Sequence, residues 1–187
     1  MCGISGFYLL NNYSTPKESL KILENMTNTL RHRGPDASGY WSSEKDNIYL
    51  GHRRLSIIDL SKSANQPMSS SDERYIIVFN GEIYNFKKLK DEIKKLSNVK
   101  FKTKCDTEVI LELIVHFGFR KTLDKITGMF SLAVWDKKEK NLFLAIDPLG
   151  KKPLYWGVDE KSLVFASEIK SILKFKNFKE ILNHQSL

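Results

Sequence analysis

The apolar positions change spacing several times along the chain. "GISGFYL" at residues 3–9 reads as a short buried strand. "TPKE" then opens a helix, with Thr15 as N-cap, Pro16 in the first turn and Glu18 closing a capping box. Leu20, Leu23, Met26 and Leu30 give that helix one apolar face, and Gly34 and Pro35 in "RHRGPD" supply a stop signal. Strand-like runs follow around "NIYLGHRRLSIID" and "RYIIVFNG". In the second, Tyr75, Ile76, Ile77, Val78 and Phe79 are continuously apolar, which predicts a strand buried on both faces. A helix is predicted from near Asn85, with Phe86, Leu89, Ile93 and Leu96 on one side and lysines on the other. Another starts at about Asp106, with Val109, Leu113 and Phe117 inward.

Four more strand candidates fill the last third: "MFSLAVWD", "NLFLAID", "PLYWGV" and "LVFAS". Turn-like charged or glycine-containing stretches separate them, and the spacing predicts an antiparallel meander. Strands and helices arranged in blocks indicate α+β layers and not alternating βαβ units. No internal repeat or low-complexity linker interrupts the pattern. The 187 residues read as one domain, large enough to bury roughly 70% of the surface its unfolded chain exposes.

Composition narrows the function classes. With 41% apolar and 28% charged residues, the chain lacks the low hydrophobicity of disorder. Cys2 and Cys105 form no CxxC, and His32, His52, His116 and His184 show no zinc-ligand spacing, so neither a disulfide framework nor a metal is expected. There is no secretory leader pattern and no 18-residue apolar run, so a cytoplasmic location without membrane contact is expected by default. The net charge of +8 raises a nucleic-acid partner. Only six of the 30 basic residues are arginines, however, and the lysines are spread over helix faces and the C-terminal tail. No nucleic-acid-binding motif accompanies them, so no such partner is expected.

Four places carry candidate chemistry. Cys2 near the start is an inert terminal thiol if Met1 stays on. If Met1 is removed, one residue offers a nucleophile and a free α-amine, whose pKa of about 7.7 to 8.0 suits a general base. In "FNGEIYN", Asn80 and Gly81 either form a turn dipeptide or aim two N–H donors at a developing oxyanion, with Glu82 as an anion beside that point. Arg54 at the end of "GHRR" is either a surface arginine or a two-pronged grip on a carboxylate. Asp106 in "CDTEVI" is either a helix N-cap or an anion for a substrate ammonium. Taken jointly the four fit one ligand, a free amino acid with a side-chain amide.

These residues sit in an ordered set of stretches: "MCGISGF", "RHRGPD", "HRRLSIIDLS", "QPM", "VFNGEIYNF", "CDTEVIL", "GMFSLAVWD", "DPLGKKPLYW" and "FASEIK". The set resembles the glutaminase domain of class II glutamine amidotransferases, most closely the glutamine-hydrolysing asparagine synthetase branch. The resemblance covers nearly the whole chain. It implies an N-terminal nucleophile hydrolase fold, a four-layer αββα sandwich of two antiparallel sheets between helices. It implies L-glutamine as substrate, Cys2 as nucleophile with its freed amine as base, and an oxyanion hole of Asn80 and Gly81. Arg54 would hold the substrate carboxylate, the backbone of Leu55, Ser56, Ile57 and Ile58 would line the pocket, and Glu82 and Asp106 would bind the α-ammonium.

In that family the released ammonia passes to an ATP-dependent synthetase domain that amidates aspartate or another carboxylate. No SGGxDS-type or Walker A sequence occurs in this chain. Residues 1–187 therefore read as a glutaminase domain from the N-terminal part of a longer synthetase. No cofactor is expected within it, and ATP and Mg²⁺ belong only to the absent synthetase domain. Ile146 stands before Asp147 where relatives commonly carry arginine, a departure that bears on coupling to a synthetase and leaves the glutamine site intact. A homodimer is left open. An amidase acting on another amide and an inactive regulatory or binding module are the competing readings.

Overall fold

Strand β1 (Gly3–Leu9) is buried along its length because it pairs on both edges, with β3 (Ile48–Arg54) on one side and β9 (Ser162–Ala166) on the other. A computed structural model describes residues 1–11 and 14–175. The end of the basic tail, with His184, lies outside these residues. Strands β2 (Ala37–Ser43) and β8 (Tyr155–Val158) complete a five-stranded antiparallel sheet of order β2-β3-β1-β9-β8. The second sheet, order β4-β5-β6-β7, contains β4 (Met68–Ser69), β5 (Tyr75–Ile83), β6 (Gly128–Asp136) and β7 (Asn141–Ile146).

Helix α1 (Pro16–Asn28) begins as the sequence predicts. Thr15 accepts from the Glu18 N–H, and Glu18 accepts in return from the Thr15 backbone, satisfying donors the first turn leaves open. Leu23 and Met26 pack with Phe7 and Tyr49 against the outer face of the first sheet, and α5 (Ile169–Ile172) joins them through Ile172. Helices α2 (Phe86–Leu96) and α3 (Asp106–Phe117) cover the second sheet, with Leu89, Ile93, Val109 and Leu113 against Ile77, Phe79 and Leu132. Between the sheets lies a third core of Ile4, Ile48, Leu50, Ile76, Val78, Ala133, Trp135 and Phe165. Three cores separate four layers, α, β, β, α, the sandwich expected from the sequence. Strand β5 explains its unbroken apolar run: Ile77 and Phe79 face the helices while Ile76 and Val78 face the other sheet.

The expected C-terminal meander is corrected. Its four strands form two antiparallel hairpins in different sheets, β6–β7 in one and β8–β9 in the other. The connection after Ile146 is shaped instead by Asp147, whose carboxylate accepts backbone N–H groups from Phe130, Leu149, Lys151 and Lys152. That clasp turns the chain from one sheet to the other. Gly150 supplies the left-handed φ of +61° that the turn contains. Short elements also escape the sequence reading: β2, β4, α5 and α4 (Phe119–Lys125).

Leu50 has no exposed surface and sits in the inter-sheet core. Leu50→Ala is expected to lower unfolding stability by about 2–5 kcal/mol, read from urea denaturation.

Candidate active site

The two sheets bring the ends of β1, β3 and β5 to one cleft of about 240 Å³, lined by Cys2, Arg54, Leu55, Ile57, Ile58, Asn80, Gly81, Glu82 and Asp106 among others. A cleft of this size has room for several waters, and so for a small ligand. All the residues singled out from the sequence meet there except Ser56. Its N–H points away and donates to the Asp36 carboxylate at 2.7 Å.

Cys2 is not a loose terminus. Its Sγ lies against the Leu55 peptide, 3.4 Å from the N–H and 3.6 Å from the carbonyl. The Cys2 carbonyl accepts from Arg33 Nε at 3.0 Å. Arg33 is held in turn by Glu168 at 3.0 Å. Burial alone would raise the Glu168 carboxyl, but hydrogen bonds from Arg33, Lys170 and His32 outweigh it and hold it at about 2. Burial raises the Cys2 thiol, more than the Leu55 N–H and neighbouring cations lower it. The thiol is therefore protonated at neutral pH and needs a base to react.

Asn80 and Gly81 are not in a turn; both lie inside β5. Asn80 is 1% exposed and its Nδ2 has no hydrogen-bond partner. Such a buried, unsatisfied donor is costly unless a ligand completes it. The backbone of Gly81 is equally placed. Phe79 N–H donates to Gln66 Oε1 and Ile83 N–H to Asp106 Oδ2, so by the alternation of an antiparallel ladder the Gly81 N–H points to the same edge, between them. On the other edge, its cross-strand neighbour Phe130 gives both its N–H and its carbonyl to Asp147. A Cβ on Gly81 would stand 2.7 Å from Phe130 Cα, so only glycine fits this approach.

Arg54 is buried, 7% exposed, and is not a surface arginine. Its guanidinium donates to the Ser61 carbonyl (2.7 Å), Asn65 Oδ1 (2.6 Å) and the Asp59 carbonyl. It thus folds the 55–61 loop over the cleft, and among the described residues its Nε–H and one terminal N–H remain for a ligand. Asp106 is the first residue of α3 and not its N-cap, a position held by Cys105. Burial raises the Asp106 carboxyl, and the nearby Glu82 raises it further, against backbone bonds that lower it. A ligand cation would relieve both effects.

Sequence reasoning missed several contributors. Asp59 ties the loop to the start of α3 by accepting from Lys104 N–H and Ser61 N–H, both at 2.8 Å, and these bonds draw its carboxyl to about 2. His52, fully buried on β3, donates Nε2–H across the sheets to the Phe79 carbonyl at 3.1 Å, next to Asn80. Met129 and Lys152 also line the cleft. His52 and Asp59 act through Phe79 and Lys104, 27 and 45 residues away, which no local pattern reveals. Ile146 lies at the end of β7, half exposed, outside the cleft.

The family model for the glutamine amidotransferase domain matches residues 1–187. The chain belongs to this family. Within it, the domain is 38% identical over 97% of its length to glutamine-hydrolysing asparagine synthetase 1 of Bacillus subtilis strain 168, and covers 28% of that protein. It is 39% identical over 98% of its length to asparagine synthetase 2 of the same organism, covering 24%. It is 37% identical over 94% of its length to amidase chry2 of Gibberella zeae, covering 27%. The glutamine amidotransferase domain thus spans about a quarter of these curated relatives. Among solved structures, glutamine phosphoribosylpyrophosphate amidotransferase from B. subtilis shares the fold at a TM-score of 0.74 and 21% identity, over 91% of this chain and 43% of that one. An allosteric regulatory enzyme of purine biosynthesis does so at 0.78 and 20%, over 92% and 43%.

Burial pushes the His52 imidazole down to about 4 from an ordinary 6.5. The unfolded chain takes up this proton before the folded one does, so His52 supports stability above pH 6.5 and that support is lost as pH falls towards 4. His52→Gln keeps a donor to Phe79 and is expected to flatten the fall of the unfolding free energy across this window, by up to about 3 kcal/mol relative to the unsubstituted domain, read from urea denaturation at each pH.

Proposed function

We propose that this domain hydrolyses L-glutamine to L-glutamate and ammonia through a thioester on Cys2, and passes the ammonia to an ATP-dependent synthetase region of the asparagine synthetase type. The observation that carries the reading is the unpartnered Asn80 Nδ2, buried beside the Gly81 N–H in the same cleft as a protonated thiol. Two donors with no acceptor, opposite a nucleophile, suit a carbonyl oxygen that becomes an anion during attack.

The steps follow from these groups once Met1 has been removed. The α-amine of Cys2 takes the Sγ proton, and the thiolate attacks the side-chain amide carbon. Electrons move onto the amide oxygen, which accepts from Asn80 Nδ2–H and Gly81 N–H. Collapse of this intermediate breaks the carbon–nitrogen bond, and the leaving nitrogen takes the proton back from the amine as ammonia. Water, deprotonated by the same amine, then attacks the thioester and frees glutamate and the thiol. The remaining donors of Arg54 suit the α-carboxylate; Asp106 and Glu82 suit the α-ammonium. Every step is carried by groups of this chain and the substrate, with ATP and Mg²⁺ assigned to the synthetase region. A cytoplasmic location accords with this chemistry, and among the described residues no helix is long and apolar enough to cross a membrane.

An amidase acting on a different amide is the second reading, favoured by the similarity to amidase chry2. The charges at the two ends of the cleft separate the readings, since a neutral amide has no use for them. A hydrogen-bonded charge is worth about 1.5–3 kcal/mol. Asp106→Asn retains the acceptor for Ile83 and is expected to raise KM for glutamine about 10–100-fold with a smaller change in kcat; an unchanged KM would favour the second reading. In the directest test, the Met1-processed domain releases ammonia from glutamine in a coupled glutamate dehydrogenase assay and Cys2→Ala does not. Equal release by both would reject the thioester.

A further inference from the structure

Lys152 is a cleft cation that the reaction above leaves unused. It is 7% exposed, and its Nζ is 3.1 Å from Met1 Sδ; no carboxylate pairs with it among the described residues. Burying an ammonium without an anion is expensive. The backbone of Lys152 is nevertheless fixed there by the Asp147 clasp, which also holds Phe130, Leu149 and Lys151.

Its location follows from Met1. A methionine side chain reaches about 4 Å from its Cα, and the next backbone nitrogen is about 2.4 Å beyond, so Lys152 Nζ lies within about 10 Å of the Cys2 nitrogen. Excision of Met1 removes the thioether that Lys152 touches and leaves its ammonium within that distance of the new terminus.

We propose that Lys152 is a positioning residue that acts through the Cys2 α-amine: its unpaired positive charge keeps that amine in the free-base form in which it accepts the thiol proton. The inference rests on the reading of the amine as the base. The other charged groups around the amine are largely committed. Arg33 from the loop after α1 shares the Glu168 carboxylate with Lys170 and His32. Arg54 at the end of β3 gives three hydrogen bonds to its loop. Asp106 on α3 and Glu82 on β5 line the same cleft and act in the opposite sense, equally in the parent domain and in the Lys152 variants. Asp147 spends its carboxylate on backbone amides, His52 is neutral at pH 7, and the buried Cys2 thiol is uncharged. Lys152 and Arg54 are the cleft cations without a carboxylate partner among the described residues, and of the two Arg54 is the one assigned to the substrate carboxylate.

A unit charge at this distance, partly screened by salt, shifts an amine by about 0.5–1 pH unit. The acid limb of kcat/KM for glutamine hydrolysis by the Met1-processed chain is therefore expected to move up by about that amount in Lys152→Gln and in Lys152→Met, and to stay in place in Lys152→Arg. The amine is also titrated directly. In a Cys2→Ala background, the rate of α-amine acetylation by acetic anhydride is followed against pH by peptide mass spectrometry, with and without Lys152→Gln or Lys152→Met. The amine curve is expected to shift up by the same interval. This second measurement needs no turnover, so a chain that releases no ammonia but shows the shift defeats the glutaminase reading and keeps this one. Superimposable amine curves in folded variants overturn the proposal, including where activity falls equally at every pH.

Discussion

Two sheets pressed face to face set the distance over which any chemistry here can occur. Cys2 belongs to the end of one sheet and Asn80 and Gly81 to a strand of the other, and their opposition depends on the dry layer of Ile4, Leu50, Ile76, Val78, Trp135 and Phe165 between them. Such layers hold sheets about 10 Å apart. The one polar link described across this layer next to the site, from His52 to the Phe79 carbonyl, lies beside the residue whose side-chain N–H is unsatisfied. The inter-sheet packing thus fixes spacing, and the imidazole fixes the peptide that leads into Asn80.

Around that frame the polar groups divide their labour. Asp147, Asp59 and Glu168 accept backbone or guanidinium hydrogens and so shape loops or anchor Arg33, each with its carboxyl held below the ordinary range. Asp106 and the Cys2 thiol are shifted the other way, both by burial. The groups assigned to scaffolding are the ones stabilised in their charged form. Those assigned to the ligand are held in states that a substrate would relieve, the pattern of a site organised before binding.

Much of this was legible in the chain. The capping box of α1 and the double burial of β5 are local signals, written in a few neighbouring residues, and both appear as read. The motifs around Cys2, Arg54, Asn80 and Asp106 do converge on one cleft. What was not legible depends on partners far away in sequence. Strand β2, "ASGYWSS", is only partly buried and polar, so it has no apolar period to betray it. The division of the last four strands between sheets turns on Asp147, whose acceptor role is invisible until Phe130 is seen beside it. His52 looked like an unremarkable histidine because its acceptor is 27 residues away. Arg54 combines a loop-folding role with its proposed ligand role, a double use that spacing alone does not express.

The central place of β1 also governs the order of events during synthesis. Its amide at Ile4 is answered by Ser167, 163 positions later, and its second edge stays open until β9 exists. At about 5–20 residues per second, a ribosome takes on the order of 10–30 s to make the intervening chain. Throughout that interval the second edge of β1 has no partner strand. Cys2 is thus among the first residues made, and the strand that follows it is among the last to gain both of its partners.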